Sequence, residues 1–392
     1  MRVINVRRIG AVALGGALAV SLAACGSSNN SSPSTSTSPG ASGNVWATAQ
    51  SAQAGGGMDA LVKAANAEGA LNVITIDPTW ANYGAILKAF EAKYPAIKIN
   101  DENPQGGSGD EYTAIVNGKG QSSAPDVVDI GHSYSVQGAQ QGGIWAPYKV
   151  STWDSIPASR KDSGGLYYSS YGGYVSIGCD ASKLGGVPCP TTIKALDNPK
   201  FKGMVALNDS PLKANAAFMA VWAAALANGG SADNIQPGID FFHKLSTEGI
   251  FNKSKGTAAT VEAGTSPIIL DWDYLTPVKG ANVKDWKVAI PTDGLVSAYY
   301  DQAINYSAPH PAAARLWEEF LYSQDAQGGQ NLWMQGLARP VELQAMIANK
   351  SANTSWLAKL VSVTDATPFV PTDDQVTAQK AVVTAKWAAA VQ

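Results

Sequence analysis

Leu71-Asn-Val-Ile-Thr-Ile76, closed by the turn Asp77-Pro78 and followed by Tyr83, Ile86, Leu87, Phe90 and Tyr94 up to Pro95, is the stretch from which the fold is read. A short β-branched apolar run predicts a buried strand, and apolar residues at helical spacing predict a helix that the proline stops. The same alternation continues outward. Ile97 to Ile99 predicts a second strand, Asp110 to Asn117 a helix, and Asp126-Val-Val-Asp-Ile130 a strand covered on both faces. Tyr171 to Ile177, Met204 to Leu207, Pro267 to Leu270, Trp286 to Ile290 and Ala303 to Tyr306 predict further strands. Helices are expected at Ala214 to Asn228, at Ile239 to Leu245 and after Pro309 and Pro311, where Leu316, Trp317, Phe320 and Leu321 mark one face. Strands alternating with helices predict an α/β protein built on parallel sheet.

The N-terminus is of another kind. Arg2, Arg7 and Arg8 precede an uncharged apolar stretch from Ile9 to Ala24 that is short for a bilayer span, the pattern of a secretory leader. Leu22-Ala-Ala-Cys25 resembles the lipobox of bacterial lipoproteins, which implies cleavage after residue 24 and acylation of Cys25. The protein is then expected outside the cytoplasm, held to the cell membrane by lipid, since two or more acyl chains suffice without a membrane-spanning helix. Residues 25–58 are mostly Ser, Asn, Thr, Pro, Gly and Ala and are expected to form a disordered tether, on the order of 30 Å in root-mean-square span. About 330 residues follow, more than one hydrophobic core usually serves, so two lobes are expected.

Three arginines leave with the leader, so 28 basic residues become 25 against 31 acidic ones, and the net charge moves from −3 to −6. That balance argues against a nucleic-acid partner. Acylation of Cys25 would leave Cys179 and Cys189 as a pair in an oxidising compartment, where a disulfide is expected. Two thiols without a nearby histidine fall short of a zinc site.

Several segments, in their order, resemble the extracytoplasmic solute-binding proteins of ABC importers, specifically the type II group with polyamine- and ferric-ion-binding members. They are Ala67 to Ile74 with Phe90-Glu-Ala-Lys-Tyr-Pro95, Ala124-Pro-Asp-Val-Val-Asp129, Asn198-Pro-Lys-Phe-Lys-Gly203, Val288 to Gly294, and Ala308 to Ala313 with Phe320 to Asp325. The resemblance implies a periplasmic-binding-protein-like type II fold, two α/β lobes joined by a hinge and closing on a small solute. Residues 59–170 would begin lobe 1, residues 171–296 form lobe 2, residues 297–335 return to lobe 1, and residues 336–392 form a helical segment packing across both. It also implies a monomer that binds a small-molecule ligand, needs no cofactor, and delivers its cargo to the transmembrane permease subunits.

In α/β lobes, ligands sit beyond the carboxyl ends of parallel strands. The candidate binding residues therefore lie in loops after the expected strands: Trp80 and Tyr83, Ser108 within Gly106-Gly-Ser-Gly109, Ser133 and Tyr134, Trp272 and Asp273, and Tyr300 and Asp301. Acid beside aromatic suits a buried organic cation, a polyamine above all, because a ring face attracts the ammonium and a carboxylate offsets its desolvation. In polyamine-binding relatives an acidic residue after the Ile-Pro-x-x-Gly motif holds an amine, and the resemblance carries that role to Asp301. A phosphonate or sugar phosphate held by Ser108, Ser133 and the amides after Asn208-Asp209-Ser210-Pro211 is the alternative, with ferric ion on Tyr299 and Tyr300 as another. The same runs also suit plain turns: Asp271 to Tyr274 a solvated turn over a packed indole, and the glycine cluster a helix start. Enzymatic activity is not expected. A secreted hydrolase would have to use His132 with Ser133 or Asp129, and no Gly-x-Ser-x-Gly, Walker or His-Glu-x-x-His segment accompanies them.

Overall fold

The computed structural model describes residues 44–360 and 368–391; the leader, Cys25 and the tether as far as residue 43 lie outside them. The rest of the expected tether is built rather than disordered. Short 3-10 turns at Val45–Ala47 and Gln53–Gly55 lead into the helix Met58–Glu68, and Trp46 is 3% exposed. The reason is the indole: a Cβ at Gly55 would lie 2.1 Å from its ring, so a glycine lets the backbone close over it.

Eleven strands run through the described residues: β1 (Ala70–Ile74), β2 (Lys98–Glu102), β3 (Val127–Gly131), β4 (Trp145–Ala146), β5 (Tyr168–Asp180), β6 (Val205–Leu207), β7 (Phe251–Asn252), β8 (Ile268–Trp272), β9 (Trp286–Ala289), β10 (Ser297–Asn305) and β11 (Arg339–Pro340). Parallel pairs occur where a helix returns the chain, at β1 with β2, and at β6 with β7 and β8. The larger sheet, in the order β3-β10-β5-β8-β6-β7, is mixed rather than parallel throughout, because β10 lies antiparallel to β3 and β5, and β5 antiparallel to β8.

β5 decides how the two halves connect. Its first part, Tyr168 to Tyr174, pairs with β10 and β11, and its second, Val175 to Asp180, pairs with β8 and β9. One continuous strand, accompanied by β10, thus passes from the half carrying β1 to β3 into the half carrying β6 to β9. The helix Asn215–Ala227 is buried almost all round, as its uniformly apolar sequence requires. A disulfide joins Cys179, at the end of β5, to Cys189.

The long helix Asp373–Ala390 touches both halves. Asp373 reaches His132 and Tyr167 in the first, while Gln379 accepts from the Ile235 amide and Trp387 packs on Phe242 in the second. A Thr372–Gln375 capping box starts this helix.

Candidate functional site

A cavity of about 540 Å³ opens where the loops after β1 and β2 face those after β6, β7 and β8. Its floor is made by the crossing strands. Tyr171 of β5 and Tyr300 of β10 stack there with ring centres 5.8 Å apart, and Tyr274 meets Tyr171 edge-on at 5.7 Å. Trp80 adds an aromatic group from the loop after β1.

Charge is distributed unevenly around this cavity. On the second half, Lys255 pairs with Asp209 at 2.5 Å, and Lys279 pairs with buried Asp271 at 2.5 Å. On the first half the three acids that line the cavity, Asp77, Glu111 and Asp129, have no cationic partner among the described residues. Asp77 takes the Thr79 amide and hydroxyl, both at 2.7 Å, together with the Gln105 amide group, which closes a turn. Asp129, on β3, accepts from the Tyr171 hydroxyl at 2.6 Å and from Gln302 Nε2 at 2.8 Å. Burial pushes its carboxyl up to about 7, only partly countered by the Tyr171 and Tyr83 hydroxyls. Glu111 is 2% exposed, and burial holds it well above the usual carboxylate range, with the nearby Thr75 hydroxyl acting in the opposite direction.

Two oxygens beside this cavity stand out. Glu111 Oε2 and Thr75 Oγ1 are buried without a partner in hydrogen-bonding geometry, a state costing about 1–3 kcal/mol per group. Thr75 also holds a left-handed backbone, φ 57°, which a β-branched residue adopts only under constraint. A Cβ at Gly106 would lie 2.6 Å from the Thr75 methyl, so the loops after β1 and β2 are fitted to each other at this point.

Of the residues singled out from sequence, Trp80, Ser108 and Tyr300 line the cavity. Ser108 Oγ accepts from the Gly131 amide at 2.9 Å, fastening its helix to β3. Tyr83 is buried beneath the floor, its hydroxyl 3.3 Å from Gln302 Nε2. Ser133 is buried away from the cavity lining, and Tyr134 donates to the Leu212 carbonyl at 2.7 Å, joining the halves to one side. Trp272 is fully buried, its Nε1 3.4 Å from the Tyr300 hydroxyl. Asp273 pairs with Arg339 at 2.7 Å, outside the cavity. Asp301 lies on the opposite face of the crossing strands, bonded to His132 Nδ1 at 2.6 Å and Ser169 Oγ at 2.8 Å.

Sequence reasoning did not place Thr75, Glu111, Asp129, Tyr171 or Tyr274 among the binding residues. The usable signal was Asp129 itself, an acid inside an apolar strand read as covered on both faces. His132 carries charge of its own. Burial alone would lower its imidazole, but Asp301 and Asp373, at 2.6 and 2.7 Å, override this and push it up to about 10. A cation gripped on both nitrogens offers no lone pair to act as a base.

Residues 122–362 match the family model described as bacterial extracellular solute-binding protein. No curated protein matches the sequence. Solved structures do resemble the fold. The periplasmic binding protein AfuA from Actinobacillus pleuropneumoniae, with exogenous fructose-6-phosphate bound, is 20% identical at a TM-score of 0.65, over 82% of this chain and 98% of that one. Iron-bound HitA from Pseudomonas aeruginosa is 17% identical at 0.56, over 80% and 97%. The spermidine/putrescine ABC transporter substrate-binding protein PotD from Streptococcus pneumoniae is 12% identical at 0.54, over 82% and 99%. Such identities speak to architecture, and the three proteins are associated with different solutes: fructose-6-phosphate, iron and spermidine/putrescine. The chain belongs to the bacterial extracellular solute-binding proteins, and its fold is that of the two-lobed type II periplasmic binding proteins.

Proposed function

We propose that this protein is the solute receptor of an ABC importer, lipid-anchored through Cys25, and that it captures an organic cation of the polyamine kind between its halves. In this reading residues 59–170 with 297–335 form one jaw and residues 171–296 the other, and the helix Asp373–Ala390 straps them. Contacts made by both jaws to the same solute stabilise the closed state, which a permease then recognises.

The observation that carries the cargo class is the charge of the cleft. Asp77, Glu111 and Asp129 face it with no cationic partner among the described residues, while both lysines on the other wall are tied to carboxylates. Aromatic groups complete the enclosure, and cation–π attraction adds about 0.5–2 kcal/mol. An anionic cargo would find both lysines of the cleft already paired with carboxylates. The amide of Gly107, the cap residue before the helix Ser108–Asn117, is already taken by Asp110, and the Ser108 hydroxyl oxygen accepts from the Gly131 amide. Ferric ion lacks its tyrosine pair: Tyr300 faces the cleft, whereas Tyr299 lies on the opposite face under the Arg160 guanidinium, 4.5 Å from its ring centre.

Thermal unfolding with putrescine, spermidine, aminoethylphosphonate, fructose 6-phosphate and ferric citrate tests this. A diamine or polyamine at a hundredfold its Kd is expected to add about 2.7 kcal/mol of stability. Stabilisation by a phosphate or ferric citrate alone overturns it.

A further inference from the structure

We infer that this cleft exchanges protons for its cargo: Glu111, backed by Asp129, is the specificity-determining carboxyl, and a primary ammonium entering beside it displaces a proton from the pair. The inference rests on the organic-cation reading above.

Position comes first. Asp110 and Glu111 share the first turn of the helix Ser108–Asn117, yet they serve differently. Asp110 turns back to accept from the Gly107 amide, whereas Glu111 points inward and is 2% exposed. Across from it, Thr75 is held at φ 57°, and the second jaw contributes Asn208. Glu111 Oε2, Thr75 Oγ1 and Asn208 Oδ1 are all buried with no hydrogen bond of regular geometry, Thr75 lying close enough to Glu111 to act on it, and all three residues line one cavity. An ammonium has three N–H donors and accepts nothing, so it matches a set of unpartnered oxygens. A quaternary amine would leave those oxygens as they are.

Neither member of the pair has a cationic partner among the described residues, and the lysines around the cavity, Lys213, Lys255 and Lys279, are each paired with another carboxylate, Asp110, Asp209 and Asp271. Glu111 is faced by Asp110 on its own helix, by Asp129 on β3 and by the hydroxyl of Thr75, and it acts on Tyr134 and Tyr300. Asp129 is faced by Tyr171 on β5, Tyr83, and Gln302 and Asp301 on β10. His132, behind β3, is held by Asp301 and Asp373. With no cation paired to either acid, burial favours the protonated form in the empty cleft, in keeping with the raised carboxyls of both residues. An ammonium reverses the preference. The carboxyl O–H proton passes to solvent, the carboxylate remains, and the bound cation balances it, so no net charge is buried.

Capture therefore weakens as pH falls, by about tenfold per pH unit for each proton released. Calorimetric titration of the protein with putrescine, spermidine and choline, at pH 5.5, 6.5 and 7.5 and in phosphate and Tris buffers, tests this. The expected result is binding of putrescine or spermidine, heats that differ between buffers in proportion to protons released, a Kd that rises in acid, and weaker binding of choline. Glu111→Gln should abolish most of the buffer dependence and weaken diamine binding at least tenfold. If that variant misfolds, the buffer comparison on the unaltered protein decides alone. Diamine binding with equal heats in both buffers overturns the proton exchange and leaves the cation reading standing; no binding of any amine overturns both.

Discussion

The two faces of the crossing strands treat acidic residues in opposite ways. On the back, Asp301 of β10 meets His132, which also holds Asp373 at the start of the last helix, and Tyr167 donates to Asp373 at 2.7 Å. On the front, one residue away in sequence, Tyr300 faces a cavity whose first-half carboxyls meet only neutral donors. A buried carboxylate beside a fixed cation joins parts of the structure together. One held among hydroxyls and amides keeps its charge in reserve for something that arrives. In the proposed reading Asp273 and Asp301 serve the structure, and Glu111 and Asp129 serve the cargo.

The division can be broken at its boundary. Trp272 belongs to the packed interior by this account, so Trp272→Ala should cost about 3–5 kcal/mol in urea unfolding. A loss below about 1 kcal/mol together with weaker solute binding would instead return the residue to the cleft wall. A smaller effect sharpens the description of the back face. His132→Gln removes the imidazolium between two carboxylates and should cost about 1.5–3 kcal/mol near neutral pH. The folded value of this histidine, about 10, lies above its unfolded value, so the stabilisation is fully present below about pH 6.5 and is lost as pH rises through 10. Unfolding of both proteins at pH 6, 8 and 10 should show the difference shrinking with pH. A constant difference would mean that shape rather than charge holds the strap.

Much of the architecture was legible because burial imposes periodicity. Runs such as Val127-Val-Asp-Ile130 and Ile268-Ile-Leu270 have to be strands between layers, and the apolar face of Pro311–Leu321 has to be covered. The tether was read too far because composition was averaged over a stretch in which one indole, Trp46, organises its neighbours. The site was less legible for a geometric reason. Strand neighbours point to opposite faces, so Tyr299, Tyr300 and Asp301 read as a cluster although only Tyr300 reaches the cleft. The acids that do reach it are far apart in sequence, one on the first turn of a helix and one inside an apolar strand. A charged helix turn ordinarily faces water, and nothing local marks Glu111 as turned inward. Only the packing of its helix on β3, through Ser108 and Gly131, brings it beside Asp129.

Whether the cleft holds an organic cation can be seen in a crystal structure of the protein grown with putrescine or spermidine. An amine is expected above Tyr171 and Tyr300, its nitrogen within hydrogen-bonding distance of Glu111 or Asp129. An amine bound on the back face beside His132 and Asp301, or an anion occupying the cleft in its place, would contradict it.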